Sequence, residues 1–319
     1  MRRGGPARRV AAIDCGTNSI RLLVADVDLM AGRATDVTRQ LLVVRLGEGV
    51  DATGAFAPAA LERTFAACRE YADVLREVGD PPLRFVATSA SRDVSNRAEF
   101  VAGVRAILGV APEVISGAEE GTLSFEGSTI GIPADAPPPF LVVDIGGGST
   151  EFVLGAATPT HRASVDMGCV RMTERHGFAD PPTRAQVAAA TADIDAAIAR
   201  AGLAVPLAQT GTLVGLAGSV TTVAALALDL PAYDAARIHH SRIPVSDVRR
   251  ISEELLGLSR AERAALPVMH PGRVDVIGAG ALILRRIMDA AGAAEVLVSE
   301  HDILDGVVWA MARGRNAAG

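Results

Sequence analysis

Two short segments of this 319-residue chain combine an acidic residue with glycine and hydroxyl residues in one repeated pattern. In each segment an apolar run ends at an aspartate, glycine follows two positions later, serine follows five positions later, and a second apolar run begins. The first segment is Asp14-Cys15-Gly16-Thr17-Asn18-Ser19. The second, at a constant offset along the chain, is Asp144-Ile145-Gly146-Gly147-Gly148-Ser149. Each copy predicts a strand, a tight turn that displays polar groups, and a second strand.

The glycine turn of the second segment has the properties of a phosphate-binding loop. Because residues 146–148 lack a Cβ atom, their backbone can approach an anion closely, and successive N–H groups can form a concave nest. The carboxylate of Asp144 would repel a phosphate, which implies a divalent cation between them, and Mg²⁺ prefers carboxylate and water oxygens. A Gly-Gly-Gly-Ser run is also typical of a flexible linker, which is the alternative for this segment.

The first turn supplies a matching set of polar groups. The side chains of Thr17, Asn18 and Ser19 can form hydrogen bonds to phosphate oxygens, and Gly16 stands where the backbone must turn. Asp14 is a second candidate for the water shell of the cation. We therefore predict ligand-binding groups on both turns.

An acidic pair at the start of a predicted helix is the candidate for activating a water molecule. Ser116 and Glu119 have the spacing of a capping box, so Glu119 is expected to cap the helix and Glu120 to be available for chemistry. Glu120 could orient a water molecule for in-line attack on phosphorus. The alternative is a solvated acidic helix start, which the helix dipole favours by itself.

Arginine is the only cation that this chain can offer a polyanion, because all 31 basic residues are Arg. Arg92 follows a predicted strand at 83–87 and can make bidentate contacts to phosphate, and Arg21 and Arg171 are further candidates. The absence of Lys excludes a P-loop, the β3 lysine of protein kinases and any Schiff base.

The elements that must position these residues also occur twice. The corresponding strand-like or helical segments of the two halves are 20–24 and 152–154, 41–46 and 164–170, 58–78 and 182–201, and 83–87 and 212–217. A dinucleotide-binding turn would lead into a helix, whereas both turns here lead into strands. The proline-rich stretch 134–139 is the expected linker. We predict an α/β protein of two duplicated domains, 1–132 and 133–319, with a helix near 303–315 returning to the first and a phosphate-binding cleft between them.

Composition narrows the functional classes. The net charge is −6, from 31 basic and 37 acidic residues, and aromatic side chains are scarce, which argues against nucleic acid as a partner. Three separated Cys and six His show neither a zinc pattern nor a disulfide framework, which favours a reduced, cytoplasmic setting. The charge-free stretch 202–228 contains Gly, Pro and Thr, so we expect a buried strand, turn and helix and no membrane span.

The quoted segments occur in the order known from exopolyphosphatase/guanosine-pentaphosphate phosphatases. The motifs are Asp14-x-Gly16-[Ser/Thr]-Asn18-Ser19-x-Arg21, Ala87-Thr88-x-Ala90-x-Arg92-x-x-x-Asn96, Ile115-Ser116-Gly117-x-Glu119-Glu120-Gly121 and Asp144-Ile145-Gly146-Gly147-Gly148-Ser149-Thr150-Glu151. Segments at 167–171, 218–222 and 299–306 add to the similarity. On these residues the chain resembles the Ppx/GppA family over nearly its whole length.

The resemblance implies a pair of ribonuclease-H-like domains of the actin/Hsp70/sugar-kinase superfamily. It also implies Mg²⁺-dependent removal of the terminal phosphate from inorganic polyphosphate and, in some members, conversion of guanosine pentaphosphate to tetraphosphate. By the same matching, Glu120 is the catalytic glutamate, and Asp144 and Glu151 serve the metal and the water. The amides of residues 146–149 would bind phosphates, and Arg92 would bind the polyanion.

Two departures from the family pattern bear on the substrate. Many members have Leu-Arg-Glu-Gly where this chain has Ile303-Leu304-Asp305-Gly306, so one phosphate-binding Arg is missing. Longer members continue into a helical extension beyond the point where this chain ends. We therefore expect a preference for short polyphosphate.

Two other functions are compatible with the same residues. One is an ATP-dependent kinase of the superfamily, with residues 216–222 near the adenosine. The other is a nucleotide sensor that changes its domain angle on binding without turnover. A homodimer is the default assembly for such folds.

Overall fold

The computed structural model describes residues 7–92 and 94–314. The chain forms two compact units. Unit 1 contains residues 1–116 and 303–319, and unit 2 contains residues 117–302. The chain therefore leaves unit 1, builds unit 2 and returns to unit 1.

The strands, in chain order, are β1 (Arg8–Cys15), β2 (Ser19–Asp28), β3 (Arg33–Val43), β4 (Leu83–Ala87), β5 (Glu113–Val114), β6 (Phe140–Ile145), β7 (Thr150–Gly155), β8 (Pro159–Val165), β9 (Thr212–Leu216), β10 (Arg242–Pro244) and β11 (Glu295–Val298). The helices are α1 (Val50–Thr53), α2 (Pro58–Glu77), α3 (Arg97–Leu108), α4 (Gly117–Ser128), α5 (Cys169–Arg175), α6 (Arg184–Gly202), α7 (Ala217–Ala227), α8 (Ala235–Ile238), α9 (Val245–Gly257), α10 (Arg260–Ala264), α11 (Ile277–Ala291) and α12 (Ile303–Ala312). Short 3₁₀ helices lie at Ser89–Ser91, Leu207–Gln209 and Pro271–Arg273.

The sheet of unit 1 has the order β3-β2-β1-β4-β5. Strands β1, β2 and β3 are antiparallel neighbours, whereas β4 pairs parallel to β1 and β5 parallel to β4. Helix α12 packs on β1 and β2. Its Asp305 accepts two hydrogen bonds from the guanidinium of Arg39 on β3, at 3.2 and 2.7 Å. Both the packing and this ion pair attach the C-terminal helix to unit 1.

The sheet of unit 2 repeats this arrangement with one strand added. Its order is β10-β11-β9-β6-β7-β8, in which β8-β7-β6-β9-β11 corresponds to the five strands of unit 1. Strands β6, β7 and β8 are antiparallel neighbours, and β9 pairs parallel to β6 and β11 parallel to β9. The predicted α/β fold of two duplicated, ribonuclease-H-like halves is therefore confirmed.

The boundary between the units differs from the sequence-based one. The division falls between Ser116 and Gly117, ahead of the expected boundary at residues 132/133, because α4 packs on β6, β7 and β8. The proline-rich stretch 134–139 also belongs to unit 2. It is held against the start of β9, where the Thr212 hydroxyl donates to the Pro137 carbonyl at 2.8 Å. Because this stretch lies within unit 2, it does not join the two units.

Two strand predictions need correction. The first unit's third strand is Arg33–Val43, so only the end of it overlaps the predicted run 41–46. In the second unit, β8 ends at Val165 and the predicted run 164–170 continues into helix α5, which begins at Cys169. The apolar residues of that run are buried by packing in a turn and helix, which hydrophobicity without a clear period does not distinguish from a strand.

The helices and buried strands were predicted more closely. The predicted helices 58–78 and 182–201 correspond to α2 and α6; α2 starts with proline at its first position, and a Thr183–Gln186 capping box precedes α6. The charge-free stretch 202–228 contains β9 and α7, which are buried. None of the helices among the described residues is long and apolar enough to cross a membrane.

The core of unit 1 contains an aromatic cluster that provides a test of the fold. Phe100 on α3 is fully buried, and its ring packs edge-on against Phe56 and Phe85 with centroid separations of 5.6 and 6.3 Å. Replacing Phe100 by Ala removes a large side chain from this close-packed site. We expect the free energy of unfolding to fall by about 3–5 kcal/mol, measured by urea denaturation. Leu203→Ala, at a side chain that is 90% exposed, should change it by less than about 0.5 kcal/mol. Equal losses in the two variants would contradict this assignment of the core.

Candidate active site

The two repeated segments form turns with the same backbone hydrogen bond. The Gly16 N–H donates to the Ser19 carbonyl at 3.0 Å, and the Gly146 N–H donates to the Ser149 carbonyl at 3.0 Å. Each turn joins two antiparallel strands, β1 to β2 and β6 to β7. The sequence repeat therefore corresponds to a repeat in backbone geometry, and the glycine run of unit 2 is a structured turn and not a flexible linker.

The carbonyl groups of the glycine turn are bound by the start of α5. The Cys169 N–H donates to the Gly146 carbonyl at 3.0 Å, and the N–H groups of Val170 and Arg171 donate to the Gly147 carbonyl at 2.9 and 3.0 Å. The guanidinium Nε of Arg171 donates to the Gly148 carbonyl at 2.7 Å. Because the carbonyls of residues 146–148 all accept hydrogen bonds from the start of α5, the peptide planes of the turn are fixed.

Two amide groups of this turn are candidates for binding an anion. Among the hydrogen bonds of residues 7–92 and 94–314, none uses the N–H groups of Gly147 or Gly148. Backbone N–H groups that are not paired within the protein are the donors of phosphate-binding nests. The predicted substrate-binding role of residues 146–149 is compatible with this geometry and stays a prediction.

The turn of unit 1 is held by an equivalent segment after β3. The N–H groups of Val44 and Arg45 donate to the Asn18 carbonyl at 3.1 and 2.9 Å, and the Gly47 N–H donates to the Thr17 carbonyl at 2.8 Å. The Thr17 hydroxyl lies 3.2 Å from the hydroxyl of Ser89. The polar residues predicted to bind phosphate in this turn are therefore positioned by the backbone around them.

Two of the predicted site residues of unit 1 bind each other. Asp14 and Arg21 are cross-strand partners on β1 and β2. The Arg21 guanidinium donates to Asp14 Oδ2 from Nη2 at 2.5 Å and from Nε at 3.1 Å. Asp14 is buried, so this ion pair balances its charge and fixes both side chains. We predicted that Asp14 helps to bind a cation and that Arg21 binds a phosphate. Because the two side chains bind each other, the role of each depends on the position of the other.

The corresponding pair in unit 2 consists of two acids. Asp144 and Glu151 are cross-strand partners on β6 and β7, and both are buried. Side chains directly opposite each other on antiparallel strands have Cβ atoms about 5 Å apart. Two buried carboxylates at this separation repel each other, and a bound cation between or beside them removes that repulsion.

Hydroxyl groups hold both of these carboxylates. The Ser124 hydroxyl donates to Asp144 Oδ2 at 2.8 Å. The hydroxyls of Ser149 and Ser164 both donate to Glu151 Oε1, at 2.8 and 2.7 Å. The side chain of Ser149 therefore orients Glu151, and its contribution to a phosphate would come from its backbone.

Glu120 belongs to the same unit and is buried, with 8% of its surface exposed. The next residue, Gly121, lies so close to β7 that an added Cβ would be 2.8 Å from Val153 Cγ2 and 3.6 Å from Glu151 Cβ. Glu120 therefore belongs to a helix that packs closely against the strand of Glu151. The alternative of a solvated acidic helix start is wrong for Glu120, because packing overrides the local preference. The capping box at Ser116 and Glu119 stays a prediction.

Arg92 lies at the end of the segment that follows β4. That segment contacts the turn of unit 1, since the Thr88 N–H donates to the Cys15 carbonyl at 3.1 Å. The Arg92 side chain is partly buried, and its Nε donates to the Ile115 carbonyl at 3.1 Å. The contact anchors the guanidinium near the chain connection to α4.

The predicted site residues thus fall into two sets, one in each unit. Unit 1 contains Asp14, Gly16, Thr17, Asn18, Ser19, Arg21 and Arg92, and unit 2 contains Glu120, Asp144, Gly146, Gly147, Gly148, Ser149 and Glu151. The sequence analysis missed Ser124 and Ser164. A signal existed for Ser124, since it stands one helical turn after Glu120, whereas nothing in the sequence marks Ser164.

Within the described parts of the chain, no group of three or more His, Cys, Asp or Glu residues is arranged to hold a metal ion. This arrangement excludes a cage made wholly of protein ligands there, but it fits Mg²⁺, which usually takes one or two carboxylates and completes its shell with water and substrate phosphates. Asp144 and Glu151 supply carboxylates of this kind beside the glycine turn.

The cysteines are not candidates for nucleophilic chemistry. Cys15, Cys68 and Cys169 are free and buried. Burial raises the pKa of the Cys68 thiol to about 12 and raises the pKa of Cys15 and Cys169 above the ordinary value. Thiols with such pKa values are protonated near neutral pH, and the thiolate is the nucleophilic form.

Comparison with known proteins identifies the class to which this fold and site belong. The family model described as the Ppx/GppA phosphatase family matches residues 23–314, and the chain belongs to that family. The predicted resemblance is therefore confirmed.

Individual relatives match over almost the whole chain. The curated protein named exopolyphosphatase 2, from Mycobacterium tuberculosis, is 50% identical over 315 residues, which are 95% of this chain and 98% of that protein. The crystal structure of an exopolyphosphatase-like protein has a TM-score of 0.93 and 42% identity, and covers 97% of this chain and 99% of that one. The Ppx/GppA family member of Aquifex aeolicus has a TM-score of 0.79 and 27% identity, and covers 98% of this chain and 100% of that one.

The position of the glycine turn can be tested through Gly168, which packs on it. A Cβ at residue 168 would lie 2.3 Å from the carbonyl carbon and oxygen of Gly147, so Gly168→Ala must displace the turn. A shift of about 1 Å in such a site lowers kcat/KM by about 10²-fold. We expect a loss of this size in the rate of phosphate release, followed by a colorimetric phosphate assay.

The matched control is Gly257→Ala, because a Cβ there meets no atom within 4 Å. This variant should keep the wild-type rate. Equal rates for both variants would show that the placement of the glycine turn does not matter for turnover.

Proposed function

We propose that this chain is an exopolyphosphatase, which hydrolyses the terminal phosphoanhydride of inorganic polyphosphate with the help of Mg²⁺. The observation that carries the proposal is the buried Asp144 and Glu151 pair next to a glycine turn in which the N–H groups of Gly147 and Gly148 donate to none of the described residues. Family membership and the relative named exopolyphosphatase 2 support polyphosphate as the substrate.

The glycine turn binds the phosphate end of the chain in this proposal. Its N–H groups replace part of the hydration of the phosphate oxygens, and they are already oriented before substrate arrives because α5 holds the turn by its carbonyls. Little reorganisation is then needed when the substrate binds. Arg92 and the polar groups of residues 16–19 in unit 1 supply further donors to the polyanion, with Arg21 oriented by Asp14.

Asp144 and Glu151 hold Mg²⁺ and its water shell. When bound, the cation would neutralise charge on the terminal phosphate, which would make phosphorus more accessible to a nucleophile. Asp14 stays a second candidate for this shell. The hydroxyls of Ser124, Ser149 and Ser164 hold the two acids of unit 2 by hydrogen bonds.

Glu120 positions the attacking water and accepts its proton. The water oxygen forms a bond to the terminal phosphorus, and the bond from phosphorus to the bridging oxygen breaks. Orthophosphate leaves with the new oxygen, and the polyphosphate chain is one phosphate shorter. Because the protein forms no covalent bond, its contribution lies in placing the water and the charges.

Substitution of the proposed water-positioning residue tests this mechanism. Glu120→Gln keeps the shape of the side chain and removes its ability to accept a proton. We expect kcat to fall by roughly 10²–10⁴-fold with a small change in KM for polyphosphate. Glu119→Gln, at the neighbouring residue that is expected to cap the helix, is the control. Wild-type turnover in Glu120→Gln would remove this residue from the mechanism.

A parallel assay distinguishes the substrates and the alternative functions. Phosphate release is measured from polyphosphate, guanosine pentaphosphate and ATP, with and without Mg²⁺ and without an added alcohol. We expect release from polyphosphate that requires Mg²⁺, and guanosine pentaphosphate is tested as a second substrate with the same terminal bond. Turnover only with an alcohol acceptor would favour a kinase, and nucleotide binding without any turnover would favour a sensor.

A homodimer stays the expected assembly.

A defined-length series tests the expected preference for short chains. The residue that takes the place of the family's arginine, Leu304, is apolar and buried and offers no cation to a phosphate. We therefore expect kcat/KM to reach its maximum at short polyphosphate and to stay level beyond it. A steady increase per chain end with chain length would contradict the expectation.

A further inference from the structure

The hydroxyl of Ser124 makes a contact that two neighbouring hydroxyls do not make. Thr122 on α4 and Thr129, the residue directly after α4, both donate to the carbonyl four residues earlier, at 2.8 and 2.7 Å. This is a common hydrogen bond for a helical hydroxyl. Ser124 is fully buried and instead donates to Oδ2 of Asp144 on β6, at 2.8 Å. Its hydroxyl therefore links helix α4 to strand β6.

The position of Ser124 on the helix connects it to Glu120. Residues four apart lie on the same face of a helix, one turn from each other. Between them, Gly121 lies against Val153 and Glu151 on β7, so this face of α4 is the one in contact with the sheet. The hydrogen bond from Ser124 thus joins the helix that carries Glu120 to the strand that carries Asp144.

We propose that Ser124 is a positioning residue for the hydrolysis, which acts by orienting the carboxylate of Asp144 and fixing it relative to Glu120. The inference rests on the proposed function, in which Asp144 serves the cation. In this proposal Ser124 does not itself contact the substrate. Its hydroxyl occupies one oxygen of the carboxylate and so determines how the group is turned.

The physical basis is the general behaviour of residues behind a metal ligand. A charge-assisted hydrogen bond to a carboxylate is short and directional. When such an outer partner of a ligand is removed, metal affinity or activity falls by about 10- to 100-fold, because the ligand loses its fixed orientation. A hydroxyl that only stabilised the fold would lower the free energy of unfolding without this selective effect on cation binding.

The test compares Ser124→Ala with Thr129→Ala, which removes a hydroxyl from the residue directly after the same helix. Mn²⁺ is titrated into each full-length protein together with imidodiphosphate, a phosphoanhydride analogue that resists hydrolysis, and free Mn²⁺ is followed by electron paramagnetic resonance. We expect the dissociation constant for Mn²⁺ to rise by about 10- to 100-fold in Ser124→Ala and to stay at the wild-type value in Thr129→Ala. The Mg²⁺ concentration for half-maximal phosphate release should rise by a similar factor.

Asp144→Asn separates failure of this inference from failure of the proposed function. If Asp144→Asn weakens Mn²⁺ binding and Ser124→Ala does not, Ser124 is no positioning residue and the proposed role of Asp144 stands. If Asp144→Asn binds Mn²⁺ like the wild type, the role of Asp144 itself is wrong, and the inference falls with it. The double variant should bind no more weakly than Asp144→Asn alone, because both changes act through one carboxylate.

Urea denaturation establishes whether each variant is folded. Should Ser124→Ala not fold, Ser124→Cys provides a second comparison, since the thiol fills the site of the hydroxyl and is a weaker donor. A folded Ser124→Cys protein with wild-type affinity for Mn²⁺ overturns the inference, and a raised dissociation constant supports it.

Discussion

The hydrogen bonds to the carbonyl groups of the glycine turn are the interaction on which the site of unit 2 depends. A run of three glycines has little conformational preference of its own, so its backbone would otherwise be disordered. The start of α5 binds the carbonyls of Gly146, Gly147 and Gly148, and this fixes the direction of the neighbouring N–H groups. The same contact requires Gly168, because any side chain there would enter the turn.

The two halves keep the same backbone and differ in charge at one cross-strand position. In unit 1 the partner of the strand-terminal aspartate is Arg21, whereas in unit 2 it is Glu151. The opposite charges of an ion pair balance each other, whereas two adjacent carboxylates are stabilised by a positive charge from another group. This difference is the reason why the proposed function assigns the cation to the two acids of unit 2.

The repeated pattern of Asp, Gly and Ser was sufficient to predict the hairpins, because a turn between two strands leaves a local signature in sequence. Buried strands such as Leu83–Ala87 were predicted because a short apolar run is also a local signal in the sequence. The assignment of α4 to unit 2 was not predictable, since it depends on how closely Gly121 approaches β7. The burial of Glu120 and the hydroxyls around Asp144 and Glu151 follow from that packing, and local propensity contains no information about it.

The return of α12 to unit 1 determines when that unit can be completed during protein synthesis. The helix covers β1 and β2, whose residues are translated first, yet its own residues 303–312 are translated after the whole of unit 2. Domains usually fold from the N-terminus as they leave the ribosome. In this chain the sheet surface of the N-terminal half stays uncovered until residues 303–312 have been translated, and all the strands and helices of unit 2 are translated before that point.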